Sequence, residues 1–371
     1  MKPLDWTSIA QAEQPATLAL RRSIHADPEL GLHCRRTTAK LKAALADLPL
    51  DIRDSQRSSG FIARLDGARP GRTVLLRGDM DALPIHEETG LDFASRNTGH
   101  MHACGHDTHS AMLAGAARIL AARREAFDGT ILFMFQPGEE GQRGAHVMIE
   151  EGLLDDPTPE AAFAMHIFPN VPGGLVACRP GALMASTDVL RATIRGKGGH
   201  AAMPHDVIDP VPIACEAVLA LQSHVARRVS VGDPIVLSIT RIAGGETHNV
   251  IPAEVELLGT LRTQSPAQRE ASRAAFKRIV NGIAETHGAT ADVSIGEGYP
   301  ATINDQRAAD MVEQIATDLF GASGYHAIPN AVMTGEDFAF VLEKVPGAMA
   351  ILGSPRPTAI RSTGRRSTAR G

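Results

Sequence analysis

Surplus charge is what this sequence most plainly lacks. Its 37 Lys+Arg and 42 Asp+Glu leave a formal net charge of −5 over 371 residues. A phosphate-binding surface needs a strong basic bias, so nucleic acid is excluded as the main partner. No apolar run reaches the roughly 18–20 residues that a bilayer span requires, so no membrane partner is expected. The opening residues carry Lys2, Asp5 and Trp6, without the basic-then-apolar build of a signal peptide. Cysteine is sparse: Cys34, Cys104, Cys178 and Cys215 are scattered, which excludes a dense disulfide framework. A reduced, cytoplasmic protein is the expectation. Walker A and G-x-S-x-G signatures are missing. Two loose G-x-G-x-x-A stretches, at Gly196 and Gly296, do not open helices, so dinucleotide binding is excluded. No internal repeat occurs.

What is present is ordinary globular material, 43% hydrophobic and 21% charged, and the length suggests two domains at about 150 residues each. Over the first 180 residues, helical stretches (15–25, 34–48, 108–124, 144–150) alternate with short apolar runs (72–76, 130–135, 161–165). Such alternation predicts an α/β unit with a largely parallel centre. Near Pro180 the texture changes. The order becomes strand (187–194), helix (209–228), two strands (235–242, 254–263), helix (266–286), strand (291–295). That order matches the ferredoxin-like split βαβ unit. The predicted organisation is one unit at 1–182 and 295–353, with a second at 183–294 inserted into it. Helices are expected again at 305–320 and 336–344, and a strand at 348–353. From Ser354 onward the chain holds five Arg, no acid and a single large aliphatic residue, Ile360. A segment that cannot bury an apolar face is expected to be disordered.

Three apolar runs each hand over to polar residues. RTVLL leads to Arg77, Asp79 and Asp81; ILFMF leads to Gln136, Glu139 and Glu140; AAFAM leads to His166. Open α/β sheets bind ligands outside the carboxyl ends of their strands, so the three point to one edge and one site. The densest cluster is Gly99 to His109, where four His, Cys104 and Asp107 share eleven positions. Imidazole and thiolate suit zinc and its neighbours, and one histidine by chance would not give this density. Asp107 and Thr108 are placed to cap the following helix, whose N-terminus would favour thiolate at Cys104. In the turn Pro137 to Gly141, two adjacent carboxylates can divide labour, one on a metal and one free as general base. Thr334 and Asp337 resemble a capping box, an explanation of their stretch that needs no catalysis.

Seven motifs then occur in order: RGDMDALP (77–84), MHACGHDTH (101–109), QPGEEG (136–141), MHIFP (165–169), GGHAAMPH (198–205), THNVIP (247–252) and MTGEDFA (333–339). Together they resemble the di-metal amidohydrolases and metallopeptidases that include hippurate hydrolase, N-acyl-L-amino acid amidohydrolase and auxin-conjugate hydrolase. The resemblance runs from about residue 15 to 353. It implies a zinc-peptidase-like catalytic domain with an inserted ferredoxin-like α+β dimerisation domain. It implies two divalent cations per chain (Mn, Zn, Co or Ni), a homodimer, and a small N-acyl amino acid as substrate. Carried over residue by residue, Cys104 matches the bridging thiolate, and His106, Glu140 and His166 match further metal ligands. Glu139 matches the general base, and Asp79 an orienting carboxylate behind the ligands. His200 matches a histidine that reaches the partner subunit's site to stabilise the oxyanion. Asn249 and Arg262 match the positions that hold the substrate carboxylate, a task suited to a bidentate guanidinium.

One departure bears on function. The family places a further metal-ligating histidine near the C-terminus, followed by a closing helix, whereas no histidine follows His326 here. The second cation is therefore expected to be held less tightly. The resemblance implies hydrolysis of N-acyl-L-amino acids to a carboxylic acid and a free amino acid. A dipeptidase on the same fold and a catalytically silent dimer are the alternatives.

Overall fold

The computed structural model describes residues 5–354. The Arg-rich stretch lies outside them, apart from Ser354. The larger unit is built on an eight-stranded sheet. Thr73–Asp79 lies between Thr130–Gln136 and Ala161–Phe168 and runs parallel to both. Gly347–Gly353 continues the parallel set beside Ala161–Phe168. Antiparallel Phe61–Asp66 and Asp51–Asp54 extend one flank, and Val176–Cys178 with Tyr325–Ala327 the other. Central parallel strands are buried on both faces and read as continuous apolar runs. Thr130–Gln136 (TILFMFQ) follows that rule. Its Phe133 and Phe135 pack with Leu113, Ala114 and Ala117 of the helix His106–Ala121. Its Leu132 and Met134 face the opposite core, with Met148 and Phe338.

The smaller unit holds a four-stranded antiparallel sheet in the order Ile235–Ala243, Glu254–Thr263, Asp188–Arg195, Thr290–Glu297. Two helices, Pro210–Arg228 and Pro266–Thr286, cover one face. This is the ferredoxin-like arrangement. Period-two alternation turns Leu190, Ala192 and Ile194 inward, where Ile213, Ala217 and Leu221 meet them from one helix and Phe276, Val280 and Ala284 from the other. Both helices begin where chemistry requires it. Asp209 and Ser265 cap the N-termini through the Val211 and Gln268 amides at 3.0 and 3.2 Å, and each is followed by a proline at the first helical position.

Three local expectations change. The first helix spans Trp6–His25, capped by the Asp5 carboxylate and running through Pro15, rather than beginning at Pro15. The helix after the histidine cluster begins at His106, behind Gly105 at φ 95°, so Asp107 and Thr108 lie inside it and cap nothing. Asp107 instead accepts from Arg21 Nε at 2.7 Å and pairs with His25 Nδ1 at 2.9 Å. The helix expected over 336–344 contracts to Ala339–Leu342, with no side-chain cap, because Glu336 and Asp337 are drawn into a buried ionic network.

Candidate metal centre

The site forms where the parallel strands end. The chain leaves Thr73–Asp79 for a neighbour on one side, Thr130–Gln136, and later returns on the other, Ala161–Phe168. A crevice at such a switch point is where this architecture binds ligands. Into it project Cys104 and His106 from the loop and first turn of the helix, Glu139 and Glu140 from the turn after Gln136, and His166 from its own strand. Gly105 is required between the two loop ligands. Its φ is positive, and a Cβ there would stand 2.4 Å from Ile167 Cδ1.

Backbone acceptors set both imidazoles. His106 Nδ1 donates to the Asp81 carbonyl at 2.8 Å, and His166 Nδ1 donates to the Ile167 carbonyl at 2.6 Å. Each ring therefore presents an Nε2 lone pair. His106 Nε2 is buried without a hydrogen-bond partner. His166 Nε2 lies 3.4 Å from Cys104 Sγ. Ligand atoms of Cys104, His106 and His166 lie within 4.8 Å of one another, as do those of His106, Glu139 and Glu140. A thiolate, two oriented imidazole lone pairs and a carboxylate form a donor set for zinc-like cations, and an orphaned buried imidazole nitrogen is the mark of a missing partner. The residues fit a divalent metal.

His109 has a different task. Its Nε2 accepts the Ile167 N–H at 2.9 Å, so Nδ1 carries the proton that it donates to Asp79 at 2.6 Å. With both nitrogens engaged it supports the ligands and is not one. Asp79 also faces His106 Nε2 at 3.5 Å. Asp81 spans the glutamate turn, its two oxygens accepting from the Glu139 and Glu140 amides at 3.0 Å each. Tyr299 accepts from the Gly141 amide at 2.6 Å and donates to the Glu139 carbonyl.

The electrostatics favour a cation. Burial opposes charge on His106, but Asp79, Asp81 and Cys104 together raise its pKa well above the ordinary value, so the Nε2 lone pair is exposed only where a cation takes the place of a proton. Burial and the His109 imidazole push His166 down to about 3, leaving it a neutral ligand across the working range. Burial likewise raises the Cys104 thiol, against the pull of His106. The thiolate expected from the helix terminus thus needs a bound cation to form. Burial, then Glu336 and Asp337, hold Glu139 well above the usual carboxylate range, which is the direction a general base needs. Burial also raises Glu140, with His106 opposing.

The remaining expected residues lie elsewhere. Arg262, at the end of its strand, is partly buried, and its guanidinium is 3.5 Å from where a Gly335 Cβ would stand, beside the loop bearing Glu336. His200 and Asn249 meet on a small ribbon of the smaller unit, where the Ala201 amide donates to the Asn249 carbonyl at 3.0 Å. Both are exposed, and this chain does not bring them to its own metal cluster. Sequence reasoning brought Asp81 and His109 to the site without giving either a role, read Asp337 only as a helix cap, and missed Glu336 and Tyr299 as contributors. Asp81 and His109 stand inside quoted motifs. Tyr299 carried no signal, because its contact spans 160 positions.

A sequence profile of the peptidase family M20/M25/M40 matches residues 75–363. N-acetylcysteine deacetylase of Bacillus subtilis is 39% identical over 336 residues, 90% of this chain and 87% of that protein. An IAA-amino acid hydrolase ILR1-like 2 of Arabidopsis thaliana is 38% identical, covering 90% of this chain and 76% of its own length. The crystal structure of the Bacillus subtilis YXEP protein, described as a dinuclear metal binding peptidase of the M20 family, superposes with a TM-score of 0.79 at 35% identity, over 93% of this chain and 90% of that one.

Proposed function

The chain belongs to peptidase family M20/M25/M40 and is a metal-dependent amidohydrolase; on that premise we propose that it cleaves N-acyl-L-amino acids of the hippurate type to a carboxylic acid and a free amino acid. One observation carries the reading. Glu139 Oε2 lies 3.9 Å from the unpartnered His106 Nε2, which puts a proton acceptor beside the vacant valence of a metal ligand. Cys104, His106 and Glu140 would hold one divalent cation, and Cys104 with His166 a second. Bound cations supply a Lewis acid for the acyl carbonyl and an acidified water. Glu139 would take the water's proton and return it to the leaving amine nitrogen, a transfer its raised pKa favours. Asp79 and His109 hold the ligand loop in place meanwhile. Arg262 would receive the amino acid carboxylate, and Asn249, exposed beside His200 on the same ribbon, would do so across the dimer.

The exposed position of His200 supports a homodimer in which each chain lends this histidine to the other's site. Among the described residues only Cys104 and His166 remain for the second cation, which supports weaker binding there. The test is release of free amino acid from hippurate, N-acetyl-methionine, N-acetyl-cysteine and indole-acetyl-alanine, with free dipeptides alongside, in added manganese and in chelator, together with metal analysis. Release from the acyl amino acids that chelator abolishes is the expected result. Turnover of dipeptides alone would replace this reading with a dipeptidase, and no turnover by folded, metal-loaded protein would sink it.

A further inference from the structure

The GEDF stretch is not explained by the helix it precedes. Its acids are buried and both accept from Arg77 of the central strand. Arg77, fully buried in the central strand, joins four partners. Its Nε donates to Gln136 at 2.8 Å, Nη1 to Asp79 at 2.6 Å, and Nη2 to Glu336 and Asp337 at 2.9 Å each. The Asp337 carboxylate is further saturated by Gln136 Nε2 at 2.8 Å and by the Ala145 amide at 2.9 Å. So held, Asp337 turns its own backbone N–H toward Glu139 Oε1 at 3.4 Å. The other oxygen, Oε2, is the one that approaches His106 Nε2.

We propose that Asp337 is a positioning residue for Glu139: anchored by Arg77, Gln136 and the Ala145 amide, it fixes one carboxylate oxygen and so aims the other at the metal-ligand cluster. Every acceptor on Asp337 is used, so the aim cannot drift without breaking a buried hydrogen bond. Arg77 also grips Asp79, which supports His109 and through it the strand of His166. One guanidinium thereby sets the base and the ligands relative to each other.

The inference rests on Glu139 acting as the base, and the test separates the two ideas. Asp337→Asn keeps the backbone N–H and the shape. It sets an amide NH2 against either the Ala145 N–H or Arg77, which forces the side chain to turn. The crystal structure of D337N is expected to show the Glu139 carboxylate displaced by about 1 Å. A shift of that size costs up to about 100-fold in rate, so kcat should fall about 10- to 100-fold with KM within twofold and metal content unchanged. An undisplaced Glu139, a kcat within threefold of the parent, or a loss that lies in metal content or KM would overturn the proposal. If the parent turns over no acyl amino acid, the functional reading fails, and the position of Glu139 in the variant still decides this one. Should D337N not fold, Glu336→Gln carries the same two readouts. It keeps the acceptor for Arg77 and the Phe338 amide while removing one charge from the guanidinium, with a smaller fall in kcat, about fivefold, expected.

Discussion

As the proposed base, Glu139 would work between two demands: it must be basic enough to accept a proton and must stay off the metal that its neighbour would hold. Burial and two nearby acids meet the first, and the Asp337 amide at 3.4 Å meets the second. Glu139→Gln preserves size and can still accept that N–H, but it cannot accept a proton. Metal content measured by atomic emission should match the parent, and kcat should fall about 10²- to 10⁴-fold. A variant with full turnover would refute the base assignment. Two adjacent glutamates on a glycine-flanked turn were legible in the sequence as an acid pair with separable roles. Which of the two faces the ligand nitrogens, and that Asp81 binds both of their amides, depended on contacts some 60 residues distant. His109 illustrates the same limit. It sits three residues beyond His106 in the same cluster, yet the Ile167 amide and the Asp79 carboxylate take both its nitrogens.

At the scale of elements, apolar periodicity marked out the helices 210–228 and 266–286 and the strand 254–263 to within a residue, because long runs with a capping residue and a proline leave little freedom. It failed over 336–344, where helical propensity yields to a buried ionic network that outweighs one turn of helix. A comparable network ties elements together in the smaller unit. Asp188, at the start of its strand, is buried and receives bidentate pairs from Arg269 (2.9 and 2.8 Å) and Arg273 (3.1 and 2.5 Å), one turn apart on the packed helix. Burial would raise its pKa, but the two guanidinium groups prevail and lower it below the ordinary 3.8. A depressed folded-state pKa contributes stability that is complete above the unfolded value and is lost as pH falls through the folded one. Asp188→Asn should therefore destabilise the protein at pH 7 by about 3 kcal/mol. It should also flatten the acid limb of stability below pH 4, read by urea unfolding at several pH values. A variant as stable as the parent at pH 7 would show that the pair contributes nothing net.

At the scale of the whole molecule, the proposed dimer makes a claim that no single chain can satisfy. If His200 serves the other subunit, His200→Ala and Glu139→Gln chains are each inactive as homodimers, but a mixed dimer holds one site with both residues intact. Mixing and re-equilibrating the two in equal amounts should restore about a quarter of the parental activity, as two-fold symmetry dictates. No recovery, with sedimentation confirming exchange, would mean that the histidine does not act across the interface. The sequence by itself determined the two-part architecture and the kinds of donor at the site. Hydrophobic period follows from local backbone geometry, and ligand chemistry follows from side-chain type; both can be read residue by residue. Tertiary structure alone decided which nitrogen of each histidine is free, which histidine is a support, and how Arg77 joins strands to the loop at 336–337. Those outcomes are set by hydrogen bonds between residues up to 260 positions apart, and such bonds exist only once the sheet has brought its strand ends to one edge.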